Sequence, residues 1–360
     1  MTTTTDTRLI SADSHVAVNL ADIRERVPAG LRGAFDDAIA TQARHEHEMK
    51  HGRQMSLDDF DIEAISNPGY REPVARLTAM DRDGVEAEVL YSEVSAFRSF
   101  GLVTGDWKPI SRAFTDFMAD FASADPRRLL ASYQVPIIDI PYAVAEVQRL
   151  AGLGARSVHL PNHPSEVGLP DYHDPVYDPL WGVLQETGLS ISHHLGVRNS
   201  LWEVFVRDPT PQAAIFTSFP NLAISEVVAW WILTGTLERF PGLQIVFVEP
   251  SLYWLPGFLA QLDKKSAVYD LPGVRLKPSE YFRRNMACTF MDDEVGLEMR
   301  HAIGVENILW STDFPHPATT WPNSQAIVAR QFAGIPDSER DLICSGNAQR
   351  IYGLGGETAA

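Results

Sequence analysis

Five polar residues stand where short apolar runs end: Asp13, His15, His194, Glu249 and Asp313. Leu9-Ile10-Ser11-Ala12 precedes Asp13-Ser14-His15, and Leu189-Ser190-Ile191-Ser192 precedes His193-His194. Residues 243–248 lead into Glu249, and residues 307–311 lead into Thr312-Asp313. Asp13 and His15 are two apart, and alternate side chains of an extended segment share a face, so both can point the same way. Two imidazoles and two carboxylates, from Asp13, His15, His194 and Asp313, suit one divalent ion with an open position for water or substrate. Zinc, manganese or a similar divalent ion would suit that set. Such an ion lowers the pKa of bound water from about 15.7 toward 7 and polarises a carbonyl, which is hydrolytic chemistry. Taken singly, each residue has a plainer reading: a chance D-x-H, a core histidine at 194, a turn or cap aspartate at 313, a loop carboxylate at 249. Their shared position, at the ends of four otherwise apolar runs, is what favours a common site.

Residues this far apart meet only in a fold that gathers strand ends. Apolar runs at 9–12, 86–91, 129–135, 157–160, 189–192, 243–248, 285–290 and 307–311 read as eight strands. Helical segments near 76–84, 109–124, 142–150, 179–187 and 222–240 separate many of them. This rhythm predicts an α/β chain folded as a single-domain (β/α)8 TIM barrel, whose active site lies at the carboxyl ends of the strands. An open nucleotide-binding sheet is disfavoured, because no GxGxxG or GxxxxGK[ST] follows any strand. The expected boundaries are a flexible segment 1–8, the barrel 9–354 and a flexible tail 355–360, with residues 19–70 forming a helix-and-loop insertion after the first strand.

Composition narrows the partners. Asp and Glu number 47 against 30 Lys and Arg, a formal charge of -17 over 360 residues, and no basic block interrupts the excess. Nucleic acid and anionic membrane are therefore excluded as expected partners, and a small-molecule substrate is favoured. Two cysteines outside any CxxC pair, a polar threonine-rich start and no apolar run of roughly 18 residues point to the cytoplasm. The apolar stretch 227–237, with adjacent Trp230 and Trp231, has more hydrophobic surface than one core-facing stripe needs, and predicts a homodimer or higher homo-oligomer.

Several of these stretches resemble the amidohydrolase superfamily, in particular its family 2 branch typified by aminocarboxymuconate-semialdehyde decarboxylase. The resemblance lies in Ile10-Ser11-Ala12-Asp13-Ser14-His15-Val16, Met80-Asp81-Arg82-Asp83-Gly84-Val85, residues 188–196, residues 239–249 and Ile308-Leu309-Trp310-Ser311-Thr312-Asp313-Phe314-Pro315-His316. It implies a barrel with one catalytic divalent metal, usually zinc and sometimes manganese. Asp13 and His15 match the first-strand ligand pair, His194 the fifth-strand histidine and Asp313 the eighth-strand aspartate. His193 is then expected to face the other way. Two features depart from decarboxylases of that branch: Asp-x-His on the first strand, and Glu249 where they carry a histidine.

Two reactions suit the same centre. In hydrolysis Asp313 accepts the proton of an activated water and passes it to the leaving group, with Glu249 as a second acid/base or orienting group. The target is an amide, ester, lactone or vinylogous C–C bond of a small organic acid. The alternative is non-oxidative decarboxylation of a small aromatic or unsaturated acid. Glutamate is normally ionised and serves better as a base, so hydrolysis stands ahead. Arg198, His316, Trp321 and His159 are the expected substrate-facing residues, with Arg98 and Arg207 as weaker candidates, while His45, His47 and His51 read as solvated.

Overall fold

The computed structural model describes residues 7–53, 63–93, 96–196, 199–211 and 213–354. Its strands are β1 (Leu9–Val16), β2 (Val85–Ser92), β3 (Leu129–Gln134), β4 (Ser157–His159), β5 (Ser190–His194), β6 (Ile245–Val248), β7 (Met286–Phe290) and β8 (Ile308–Trp310). All neighbours pair parallel, in chain order from β1 to β8. The ring is drawn together by a parallel bridge between Ser14 and Phe314 and by two backbone bonds, His15 N–H to Phe314 O at 2.7 Å and Asp313 N–H to Asp13 O at 3.0 Å. The expected (β/α)8 barrel is therefore the observed architecture, and its seam joins two strand ends that carry candidate ligands.

Strand alternation builds two cores. Ala87, Val89 and Tyr91 of β2 join Val246 and Val248 of β6 inside the barrel, whereas Val85, Leu90, Ile245 and Phe247 pack outward against helices. Ala348, Ile351 and Tyr352, from the helix Asn347–Tyr352, pack against the interior cluster. The helix Lys108–Ala122 shows why the outer layer is helical: Ile110, Ala113, Phe114, Met118 and Phe121 recur at helical spacing and are all buried.

Glycines end two elements. Gly84, at φ 71°, closes the helix Pro73–Asp83 in the left-handed conformation that turns the chain into β2. The apolar stretch read as one helix over 222–240 is two, Pro220–Leu233 and Thr236–Arg239. Gly235 separates them at φ 78°, and a Cβ there would lie 3.2 Å from Gly273 O.

The described part of the insertion after β1 builds a small core of its own. It contains the helices Leu20–Arg26 and Arg32–Met49, and packs Ile23, Val27 and Phe35 against Phe97, Phe100, Ile110 and Phe114. This small separate core sets the long helix Arg32–Met49 against the barrel mouth, where it lines a cavity.

Candidate metal centre

The end of β1 is irregular. Ile10 and Ala12 face the barrel interior, and strict alternation would send Asp13 outward. The register with β2 shifts between Ser11 and Ser14, and this bulge re-aims the strand. Ser11 stabilises it: its Oγ donates to Asp13 O at 2.6 Å and accepts from Thr312 N–H at 2.9 Å. Asp13 and His15 consequently share the mouth, with His15 Nε2 3.6 Å from Asp13 Oδ1.

The other donors converge on this pair. His194, the last residue of β5, puts Nε2 3.3 Å from Asp13 Oδ1, and Asp313 Oδ1 lies 3.1 Å from His15 Nε2. Glu249 and Asp313 both adopt left-handed backbone, φ 71° and 53°, a conformation that costs a non-glycine residue about 1–3 kcal/mol. The Glu249 N–H donates to Thr289 Oγ1 at 2.7 Å, which holds that turn. One donor atom from each of Asp13, His15, His194 and Glu249 lies within 4.8 Å of the others, and the same holds for His15, Glu249, Asp313 and His316.

Buried oxygens left unpaired identify what is wanted at the centre. Asp13 Oδ2 and Asp313 Oδ2 have no hydrogen-bond partner among the described residues, although both side chains are fully buried. Such atoms cost about 1–3 kcal/mol each unless a cation meets them. The mixed carboxylate and imidazole set fits a divalent ion of the zinc or manganese kind.

The electrostatics follow from crowding. Burial, reinforced by Asp313, pushes the Glu249 carboxyl up to about 8. Burial works against a charged His194, but Asp13 outweighs it and raises the imidazole to about 9. Burial also opposes ionisation of Asp313, yet His316 and His15 hold it well below the usual carboxylate range. Glu93 behaves similarly: desolvation is outweighed by His15 and His316, and the carboxyl falls to about 2. A bound divalent cation would favour the ionised carboxylates and the neutral imidazoles.

Arg76 supports the centre from below. Its buried guanidinium donates to Gly69 O at 2.8 Å, to Glu88 Oε2 at 2.8 Å and to His15 O, and lies 4.4 Å from the Phe314 ring centroid. One side chain from the helix Pro73–Asp83 thus grips the backbone of His15 on β1 and faces Phe314, the residue after Asp313.

A cavity of about 610 Å3 opens onto the donors, and His15, His194, Glu249 and His316 line it. His316 sits on the donor cluster: Nδ1 is 2.9 Å from Asp313 Oδ1, Nε2 is 3.3 Å from Glu93 Oε2, and its ring lies 3.9 Å from that of His15. His159 also lines the cavity, edge-on to Phe97, and burial keeps its imidazole neutral. Trp321 does not line it. Its indole donates to Ala79 O at 3.0 Å and packs on Phe314 beneath Arg82, because the chain after Asp313 turns toward the helix Pro73–Asp83. Arg198 falls outside the described residues. Arg98 lines the cavity, 3.6 Å from Glu166, whereas Arg207 and His45, His47 and His51 are exposed. His193 turns outward, accepting from Trp231 Nε1 at 3.0 Å, and burial lowers it to about 3.

Sequence reading missed Glu93, Tyr91, Arg76 and the contribution of the insertion. Glu93 carried the same signal as the other ligand candidates, a polar residue just beyond an apolar strand. Arg76 had no such signal, because a buried arginine in a helix looks like a solvated one.

Comparison with known proteins agrees with this geometry. A curated relative, gamma-resorcylate decarboxylase of Rhizobium radiobacter, is 27% identical over 312 residues, 78% of this chain and 87% of its own. Among solved structures, 5-carboxyvanillate decarboxylase from Sphingomonas paucimobilis superposes with a TM-score of 0.68 at 23% identity, covering 96% of this chain and 99% of that one. A dihydroxybenzoic acid decarboxylase from Polaromonas sp. JS666, with bound manganese and the inhibitor 2-nitroresorcinol, gives a TM-score of 0.65 at 19% identity, covering 98% of each chain. The amidohydrolase family profile matches residues 45–354, from the insertion helix to the end of the barrel. With a metal-type donor cluster at the mouth of a (β/α)8 barrel and a profile match over most of its length, this chain belongs to the amidohydrolase family and is an enzyme of its hydrolase or carboxy-lyase kind.

Proposed function

We propose that this chain is a divalent-metal-dependent, non-oxidative decarboxylase of a small aromatic carboxylic acid. The observation that carries the reading is a divalent-metal donor cluster at the barrel mouth of a chain whose relatives are named as gamma-resorcylate and 5-carboxyvanillate decarboxylases. Decarboxylation needs an acid to protonate carbon, whereas hydrolysis needs a base to take a proton from water. Glu249 stands within 4.8 Å of Asp313, so the two carboxyls can share a proton and Glu249 can act as an acid as well as a base, which removes the reason for ranking hydrolysis first. The decarboxylase activities named for the relatives support the same order.

Asp13, His15, His194 and Asp313 would hold the ion, His15 Nε2 lying 3.6 Å from Asp13 Oδ1 and 3.1 Å from Asp313 Oδ1, and His194 Nε2 3.3 Å from Asp13 Oδ1; Glu249 lies close enough to stand beside it. When bound, it supplies Lewis-acid attraction for the carboxylate and a neighbouring hydroxyl oxygen of the substrate. The Glu249–Asp313 pair delivers a proton to the ring carbon that bears the carboxylate. The C–C bond to that carboxylate then breaks, its electron pair returns to the ring, and carbon dioxide leaves. His316, hydrogen-bonded between Asp313 and Glu93, returns a proton to the pair. Tyr91, Phe97 and Trp202 supply aromatic walls for the ring.

Manganese bound to a solved relative supports Mn2+ beside the Zn2+ expected from sequence. We further read a homo-oligomer assembled through the surface around Trp230, which is 37% exposed, in a reducing compartment that suits two free, buried cysteines. Among the described residues no helix is long and apolar enough to cross a membrane.

The test is to load the protein with manganese or zinc and offer a panel of aromatic acids with their esters and amides. Carbon dioxide and hydrolysis products are measured separately. Release of carbon dioxide from at least one acid is expected; ester or amide cleavage without it would overturn the assignment.

A further inference from the structure

Two imidazoles at the barrel mouth stand between two carboxylates. The rings of His15 and His316 lie 3.9 Å apart at 32° to each other. Each turns one nitrogen to the same atom, Asp313 Oδ1: His15 Nε2 at 3.1 Å and His316 Nδ1 at 2.9 Å. Each turns its other nitrogen to a second shared atom, Glu93 Oε2: His15 Nδ1 at 3.4 Å and His316 Nε2 at 3.3 Å.

The two carboxylates do different work. Asp313 stands on the side of the ring where His15 also meets Asp13, and both carry a buried oxygen without a partner. Glu93 stands on the far side and belongs to neither donor group that could enclose an ion. An imidazole that offers Nε2 as a lone pair carries its proton on Nδ1, and the acceptor of that proton fixes both tautomer and ring angle. His194 has such an acceptor in Leu195 O, 3.0 Å from its Nδ1. His15 Nδ1 is buried and makes no hydrogen bond among the described residues, and the oxygen set beside it is that of Glu93. At 3.4 Å a small rotation of either side chain closes the bond.

The sheet itself places this acceptor. β1 and β2 pair with His15 opposite Tyr91 and Val16 opposite Ser92, and the Glu93 N–H donates to Val16 O at 3.0 Å. Its side chain is 31% exposed and lines the cavity, so contact with substrate is the competing role.

We propose that Glu93 is a positioning residue for the metal ion: its carboxylate takes the Nδ1 proton of His15 and so leaves Nε2 for the ion, with His316 braced on the same oxygen. The inference rests on Asp13, His15, His194 and Asp313 as the ligands, and holds for hydrolysis and decarboxylation alike.

Zinc affinity, read by competition with a chromophoric chelator, tests this without turnover. Glu93→Gln keeps an acceptor oxygen but loses the charge, and should weaken zinc binding about tenfold; Glu93→Met removes the acceptor, and should weaken it about a hundredfold. The visible absorption of the cobalt-loaded protein should shift in Glu93→Met, because the His15 ring is released. Unchanged zinc affinity in Glu93→Gln together with an unchanged cobalt spectrum would overturn the proposal. A raised KM at parental zinc affinity would make Glu93 a substrate contact instead, and a lowered urea midpoint at parental affinity would make it a structural residue. A parent protein that binds zinc yet releases carbon dioxide from no aromatic acid would refute the decarboxylase reading and leave Glu93 in its role. Carbon dioxide release by variants of parental zinc affinity would do the reverse.

Discussion

An oxygen of Glu249 lies within 4.8 Å of an oxygen of Asp313, and both residues are held there by left-handed backbone, one directly after β6 and the other shortly after β8. Two carboxyls this close, Asp313 buried and Glu249 partly so, resist simultaneous ionisation unless a cation stands between them, and without one can keep a proton between them. Glu249→Gln should lower turnover by about 10²–10⁴-fold while metal content, read by elemental analysis, stays near one per chain. Asp313→Asn removes a ligand oxygen as well as the acid partner, and should lose activity and metal together. Full activity in either variant would remove the pair from the mechanism.

Arg76 and Glu88 form a fully buried ion pair at 2.8 Å, and the guanidinium also holds His15 O and faces Phe314. Arg76→Met leaves Glu88 charged and unpaired, and should cost about 3–5 kcal/mol in urea unfolding. A double variant, Arg76→Met with Glu88→Leu, should recover part of that loss, because no orphan charge remains. Metal affinity should stay weakened in the double variant, since His15 still lacks its backbone anchor; wild-type affinity there would limit Arg76 to a stability role.

Asp83 gives a pH signature away from the metal centre. It is 3% exposed, accepts from Ser324 N–H at 2.9 Å and from Ser324 Oγ, and burial raises it from 3.8 to about 6 against the pull of those bonds. A carboxyl raised in the folded state binds its proton more tightly than in the unfolded chain. Its stabilising contribution is therefore complete below about pH 4 and lost as pH rises through about 6, by on the order of 1–3 kcal/mol. Denaturant midpoints from pH 4 to 8 should show this loss in the parent protein and not in Asp83→Asn. Parallel curves for the two proteins would contradict it.

Trp321 separates packing from substrate binding. Trp321→Phe deletes the bond to Ala79 O and should lower stability by about 1 kcal/mol. KM should not change, because the indole lies outside the cavity; a several-fold rise in KM at constant stability would return Trp321 to the substrate wall.

The barrel was legible because its code is local. Apolar runs of strand length, each stopped by a polar residue and followed by a helical stripe, specify β and α units through nearest-neighbour alternation and periodicity. The ends of β1, β5 and β6 and the segment after β8 could accordingly be named before any contact was known, and Asp13, His15, His194, Glu249 and Asp313 do meet. Glu93 obeyed the same rule and was overlooked only because the residues before it looked like an ordinary strand end.

What the sequence by itself determined, then, is the fold class and the kinds of donor available at one end of the barrel. Tertiary structure alone decided how those donors act. The bulge between Ser11 and Ser14 puts Asp13 on the same side as Ala12, which alternation forbids, and it exists because Ser11 and Thr312 meet across the seam. The left-handed turns at Glu249 and Asp313 bring two carboxyls together, so that each shifts the other's ionisation. The helix Arg32–Met49 carries no readable chemistry until Phe35 packs against Phe114 and the barrel mouth gains its second wall. Each of these depends on contacts between residues tens to hundreds of positions apart, and on desolvation, which local sequence pattern does not encode.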